Sequence, residues 1–150
     1  MATPADLYNQ DFYTWAMTTA ELMRQKKWHE IDWAAVIEEI EGLARRDKRE
    51  LASRLELLVM HLLKWCAQPQ GRQLGYSWRD TIQEQRSQIE LLLDDSPSLR
   101  REVDVLLTNR YRKARERALE HAGLPETEVP RTCPWNSAQV LADDFWPETW

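Results

Sequence analysis

Polar side chains interrupt a helical series of apolar residues, and these polar side chains are the candidates for ligand binding or catalysis. Every seventh residue from position 33 gives the series Trp33, Ile40, Asp47, Arg54 and His61. Gln85 falls in line with a second apolar series later in the chain, and Arg86 follows it directly. If two helices face each other here, an imidazole, two guanidinium groups and an amide meet between them. Such a cluster could fix helix register or form a ligand pocket, and we favour the register role.

The predicted polar cluster has five members. They are Glu39, Arg54, His61, Gln85 and Arg86. His61 is central because it lies between two leucines of the apolar series, where an unpaired imidazole would cost ~1 to 3 kcal/mol of desolvation. We therefore expect His61 to have a polar partner. The candidates are Gln85 and Arg86. Glu39 is a third candidate if the helix that carries Glu39 and His61 bends back.

The sequence contains no familiar catalytic or cofactor pattern. The four glycines, at positions 42, 71, 75 and 123, never cluster before a helix, which excludes a glycine-rich phosphate loop. The three histidines fall on different predicted elements, and neither Cys66 nor Cys133 has a neighbour at metal-ligand spacing. A Ser or Cys nucleophile would leave no readable signature, because its partners are assembled in space. We therefore name no catalytic, cofactor-binding or metal-binding residue and expect no cofactor.

The charge balance argues against nucleic acid as a partner. The chain has 20 Lys and Arg against 25 Asp and Glu, a formal net charge of −5, whereas phosphate binding needs a basic surface. Basic residues do concentrate between Arg110 and Arg117, but they spread around the predicted helix and indicate a solvated, salt-bridged surface. The acidic group between Glu30 and Glu41 fits the start of a helix, where negative charge complements the dipole.

Nothing in the sequence predicts a membrane segment or a secretory signal. The longest apolar run is Leu57 to Met60, far short of the ~20 residues that span a bilayer. The first ten residues have neither a basic stretch nor an apolar core. We therefore expect a cytoplasmic protein in which Cys66 and Cys133 are free thiols.

The candidate residues lie on segments that are predicted to be helices. Scarce glycine and apolar residues at helical spacing predict an all-α fold, a bundle of four main helices. The first covers Asp11 to Lys27, and the second starts at Trp33 after an N-cap at Asp32 and ends near Cys66 or Gln68. The third starts at Ser77, and the fourth starts at Pro97 and stops at Gly123.

The second predicted helix is too long for a compact chain of this size. At 1.5 Å per residue it would extend about 51 Å, whereas a compact domain of 150 residues has a diameter of about 38 Å. Either the helix bends near the charged residues 42–50, or part of it projects and packs on a second copy.

Residues 124–150 have a different character from the rest of the chain. Four prolines prevent a long helix there, while Trp135, Phe145, Trp146 and Trp150 are too apolar for a disordered tail. We predict a strap packed on the bundle, with one short helix over 137–143 capped by Asn136, so that residues 1–150 form a single domain. The chain has eight tryptophans, and we interpret most of them as core anchors.

Several stretches in a fixed order resemble the bacterial family called domain of unknown function twenty-nine. They are LYNQDFYTWA, IDWAAVIEEIEGLARRDKRELASRLELLVMHLLKW, SWRDTIQEQRSQI, LLLDDSPSLR, TCPW and DDFWP. The resemblance covers nearly the whole chain and implies an all-α bacterial protein without an established activity. It supplies no catalytic residues that can be matched to positions here.

Three functions are compatible with these patterns. The first is a non-enzymatic interaction module that binds another protein or itself, as the aromatic surplus and the overlong helix indicate. The second is an enzyme or small-molecule binder with its pocket in the polar seam between the second and third helices. The third and weakest is a regulatory or toxin-antitoxin component that contacts nucleic acid through the fourth helix.

Overall fold

The computed structural model describes residues 2–74 and 76–150, and these residues form an all-α structure without strands. The predicted fold class is thereby confirmed. The α-helices of this part of the chain are α1 (Pro4–Gln10), α2 (Phe12–Arg24), α3 (Trp33–Ala67), α4 (Gly71–Leu74), α5 (Tyr76–Asp95), α6 (Val103–Ala122) and α7 (Ser137–Leu141). Short 3₁₀ helices cover Trp28–Glu30, Pro97–Glu102 and Glu126–Glu128.

The structure has one helix, α1, before the first helix that was predicted. α1 is closed by a capping box in which the Thr3 hydroxyl accepts from Asp6 N and the Asp6 carboxylate accepts from Thr3 N. The sequence Thr-Pro-x-Asp signals this helix, but the prediction missed it. α2 begins after Asp11, whose carboxylate accepts from Thr14 N at 3.1 Å, and it ends three residues before the predicted Lys27.

The long helix is confirmed as α3, which has 35 residues. Its start has the predicted N-cap, because the Asp32 carboxylate accepts a hydrogen bond from Ala35 N at 3.2 Å. The observed end at Ala67 lies between the two predicted positions, Cys66 and Gln68. No proline falls inside the helix to break it.

The predicted starts of the next two helices differ from the observed ones. Ser77 lies inside α5 rather than before it, and position 75 lies outside the described residues. Pro97 opens a 3₁₀ helix, so α6 begins six residues later than predicted. The predicted stop of α6 is confirmed because Gly123 takes the left-handed conformation, with φ of 63°, that terminates helices.

The chain divides into two compact units, residues 1–46 and residues 47–150. α3 supplies residues to both. In the first unit the buried core is small and consists of Trp15, Ile31, Ala35 and Val36, with Leu7, Tyr8, Ala16, Leu22 and Met23 packed against it. Burial of so few side chains leaves much of the apolar surface of these helices unpaired.

The second unit has a much larger core. It includes Leu51, Leu55, Leu58 and Leu62 of α3, Ile82 and Ile89 of α5, and Leu107, Ala114 and Ala118 of α6. Three side chains from residues 124–150 join this core: Val129, Trp135 and Val140. α7 is capped as predicted, since Asn136 accepts from Gln139 N at 2.8 Å.

The tryptophans divide between core and surface. Trp15, Trp65 and Trp135 are buried, in agreement with the prediction. Trp28 and Trp33 are 49% and 44% exposed, so the assignment of core anchors is wrong for them. Their position near the start of α3, where the first unit has few helices to cover them, is the physical reason.

Candidate functional site

The structure joins two members of the predicted polar cluster. Arg54 on α3 donates to the Gln85 side-chain oxygen on α5 at 3.1 Å and to Glu50 at 3.0 Å. Gln85 is buried, and its side-chain oxygen accepts the hydrogen bond from Arg54. This pair links α3 and α5 through a partly buried hydrogen bond.

His61 finds its partner on its own helix. Its Nδ1 lies 2.9 Å from the carbonyl oxygen of Leu57, one turn earlier in α3. The expected partners Gln85, Arg86 and Glu39 are therefore not the ones it uses. Burial lowers the pKa of the half-buried imidazole, and the neighbouring positive charge of Lys64 lowers it further.

Arg86 binds the last third of the chain instead of the polar seam. Its Nε donates to Val140 O at 2.9 Å and its Nη2 donates to Phe145 O at 2.7 Å. The side chain is only 3% exposed and stands over the ring of Trp146. Burial lowers the pKa of the guanidinium, while Asp143 and Asp144 act in the opposite direction. Arg86 is thus a structural clamp between α5 and residues 140–146.

Glu39 belongs to the first unit and has partners there. The Tyr8 hydroxyl donates to the Glu39 carboxylate at 2.7 Å, and Arg46 lies 4.0 Å from the same carboxylate. This hydrogen bond raises the pKa of Tyr8 to about 12. Glu39 therefore fastens α1 to α3.

Reactive groups are few among the described residues. Burial raises the pKa of both cysteine thiols, Cys66 and Cys133, which keeps them protonated and poorly nucleophilic. In the described part of the chain no group of three or more His, Cys, Asp or Glu could hold a metal ion. These side chains give no geometric support to a catalytic centre.

Exposed apolar side chains are concentrated in the first unit. Of the eleven large hydrophobic side chains exposed in the described residues, eight belong to that unit. They are Phe12, Tyr13, Met17, Trp28, Trp33, Ile37, Ile40 and Leu43. Exposed apolar side chains that lie next to one another mark binding surfaces, whereas scattered ones are ordinary.

Four residues of α3 form a continuous line on this surface, which we name the α3 stripe. They are Trp33, Ile37, Ile40 and Ala44, and all four are exposed. Their spacings of four, three and four residues put them on one face of the helix. Trp33 is held in place, because its Nε1 donates to Trp28 O at 3.0 Å and its ring lies 6.2 Å from the ring of Trp28.

An apolar groove runs beside the α3 stripe between α2 and α3. It has a volume of about 270 Å³. Its walls are Trp15, Ala16, Thr19, Ala20 and Met23 of α2 and Val36, Glu39, Ile40 and Leu43 of α3. Ile40 belongs to both features, so the groove and the α3 stripe form one surface. Trp33 and Ile40 of the stripe belong to the seven-residue series, which the sequence prediction assigned to an interhelical core.

Comparison with known proteins gives a family without a described function. The sequence matches, over residues 7–146, the family described as Domain of unknown function DUF29. The match covers almost the whole chain and confirms the resemblance seen in its motifs. No curated protein and no solved structure matches the chain. No described helix combines the length and the apolarity that crossing a bilayer requires.

Proposed function

We propose that this chain, which belongs to the family described as Domain of unknown function DUF29, is a non-enzymatic protein-interaction module. The observation that carries the proposal is the concentration of eight large exposed apolar side chains in the first unit. Water contact with apolar surface costs about 25 cal/mol per Å², so a partner that covers this surface gains binding free energy. The partner surface is a protein helix, because the α3 stripe has the spacing of helix-to-helix contacts.

In this proposal the two units have different roles. The second unit supplies most of the buried core and hence the stability, while the first unit presents the binding surface. We infer that residues 124–150 act as a strap on the second unit, supported by the buried Val129, Trp135 and Val140 and by the two hydrogen bonds of Arg86. Two further statements stay predictions: the bundle of four main helices and the single domain over residues 1–150. One cooperative unfolding transition in calorimetry would support the single domain.

The small-molecule alternative loses support from the hydrogen bonds of the polar seam. Arg54 and Gln85 bind each other, and His61 and Arg86 bind backbone carbonyls. These hydrogen bonds hold the fold together, although the buried Nη1 of Arg86 has no hydrogen-bond partner. An enzyme in this seam would need groups that the described residues do not bring together.

The nucleic-acid alternative loses support from the basic residues of α6. Arg117 pairs with Glu56 at 2.8 Å, and Arg110 lies 3.7 Å from the same carboxylate. Arg115 donates to the carbonyls of Glu126, Val129 and Pro130. Because these guanidinium groups bind within the chain, they supply few charges for phosphate contacts. The two free cysteines agree with a reducing compartment, and we infer a bacterial cytoplasmic location.

Site-specific photo-crosslinking in the native cells tests the interaction module. A benzophenone amino acid replaces Ile37 on the α3 stripe in one variant and Val105 in a control. Both positions are similarly exposed, at 53% and 55%, but Val105 lies on α6 of the second unit. We expect protein adducts from position 37 and none from position 105. Absence of adducts from position 37, or equal adducts from both positions, would contradict the proposal.

A further inference from the structure

The α3 stripe continues a pattern that the same helix buries further on. Steps of seven residues from Ala44 lead to Leu51 and Leu58, which are 0% exposed, and to Trp65, which is 8% exposed. In the second unit this face of α3 is covered by other helices of the chain. Over residues 33–44 the face remains apolar but is exposed. A helix that packed on this exposed face would extend along about 18 Å of α3.

The sizes of the stripe residues match those of a second stripe running in the opposite direction. In antiparallel pairing, Trp33 of one copy faces Ala44 of the other, and Ile37 faces Ile40. The largest side chain then meets the smallest, so every layer has a similar volume. Parallel pairing would instead oppose two tryptophans at one end and two alanines at the other, giving overlap and a void.

Charge favours the same orientation. The start of α3 is acidic, with Glu30 and Asp32 just before or at its cap, whereas Arg45 and Arg46, each of which also contacts a glutamate of α3, follow the stripe. Two antiparallel copies bring the acidic end of one beside the basic end of the other at both ends of the contact. Parallel copies would bring like charges together, which is unfavourable and selects against that orientation.

The available area fits a modest interface. Trp28, Trp33, Ile37, Ile40 and Leu43 are 44% to 61% exposed, and together they offer roughly 500 Å² per copy when a large side chain has about 150 to 250 Å². Two copies would bury about 1,000 Å², near the lower limit of specific interfaces. The hydrogen bond from Trp33 to Trp28 O fixes the largest side chain in advance, which reduces the entropy lost on association.

We infer that the partner of the α3 stripe is a second copy of this chain, paired antiparallel through residues 33–44. This inference rests on the proposed function of the first unit and names its partner. The small interface predicts reversible dimers that dissociate in the micromolar range, so the fraction of dimer depends on concentration.

Sedimentation equilibrium measures the dimer directly. The mass should rise from 17.8 kDa toward twice that value as the concentration increases through the micromolar range. Ile37→Glu should raise the dissociation constant at least about tenfold, because it places a charge in the apolar contact. Val105→Glu is the matched control and should leave it unchanged. A chain that stays monomeric, or a dimer indifferent to Ile37→Glu, would overturn the inference.

An exchange of the two end residues tests the antiparallel register. Trp33→Ala and Ala44→Trp should each weaken the dimer about tenfold or more, while the double variant should return to within about threefold of the original value. Positions 33 and 44 are about 16 Å apart along one helix, so their side chains do not touch within a copy. Rescue therefore requires contact between copies. A double variant as weak as the single variants would overturn the antiparallel register.

The mass of the photo-crosslinked product separates the two proposals. An adduct from position 37 with twice the 17.8 kDa mass supports the second copy. An adduct of any other mass from a monomeric chain overturns the second copy but leaves the interaction module standing. Failure to form any adduct from position 37 overturns the interaction module itself.

Discussion

The two parts of α3 carry the same apolar pattern and meet different surroundings. Leu51, Leu55 and Leu58 in the second unit are 0% exposed, whereas Ile37 and Ile40 in the first unit are 53% and 61% exposed. The pattern of a helix thus specifies which face is apolar, but the rest of the chain decides whether that face is covered. Where the chain does not cover it, the uncovered part is available for association.

Truncating one residue in each part gives the largest contrast. Leu58→Ala should lower the free energy of unfolding by about 2 to 5 kcal/mol, because it opens a cavity in a closed core. Ile40→Ala should change it by less than about 0.5 kcal/mol in the monomer, because that side chain already contacts water. Urea denaturation at concentrations below dimer formation measures both values. Similar losses from the two variants would break the comparison between the two parts of α3.

Much of the fold could be predicted because its signals are local. The Asp32 cap, the start of α3 and the left-handed Gly123 depend on residue types within one helical turn, and all were found. The start of α6 was placed too early because Pro97 suits the first turn of either a 3₁₀ helix or an α-helix. The pattern of side-chain types does not distinguish these two.

The partners of the polar candidates could not be predicted for a different reason. His61 could satisfy its imidazole at the carbonyl of Leu57, an option that every helical residue offers and that sequence spacing does not mark. Arg86 reaches carbonyls of Val140 and Phe145, which are more than fifty residues away. Which distant backbone an arginine meets depends on the tertiary path of the chain.

A second contrast concerns two arginines of α5 that contact residues 140–146 in different ways. Arg86→Ala should cost about 2 to 4 kcal/mol, because it leaves the carbonyls of Val140 and Phe145 without their buried donor. Arg79→Ala is the control on the same helix. Arg79 is exposed and stands 4.5 Å from the centre of the Trp146 ring, so its loss should cost only about 0.5 to 1 kcal/mol. Thermal unfolding of both variants sharpens the comparison, and equal costs would refute the clamp.

Of the two polar candidates that we propose to replace, Arg86 and His61, His61 should have the smaller effect. At neutral pH, His61→Leu should change the free energy of unfolding by less than about 1 kcal/mol, because an apolar side chain replaces a half-buried neutral one.

The pH dependence at His61 has a defined sign. Burial lowers its folded pKa, so the unfolded chain binds the proton more readily. The contribution of the neutral imidazole is complete above its ordinary pKa of about 6.5 and is lost as the pH falls through the lowered folded value. His61→Leu should remove this loss, so the free energy of unfolding of the variant should fall less than that of the parent as the pH drops below neutral. Urea titrations with the same acid loss in both proteins would contradict this assignment.

The hydrogen bonds of Arg86 also order events during synthesis. Their acceptors, Val140 and Phe145, lie 54 and 59 residues later in the chain. While a ribosome extends the chain, the guanidinium of Arg86 therefore stays in water until those residues emerge, although α3 and α5 are already complete. Closing so long a loop also carries an entropic cost that must be met before the contact forms. The nascent second unit thus passes through a stage in which α5 is present but its clamp is still open.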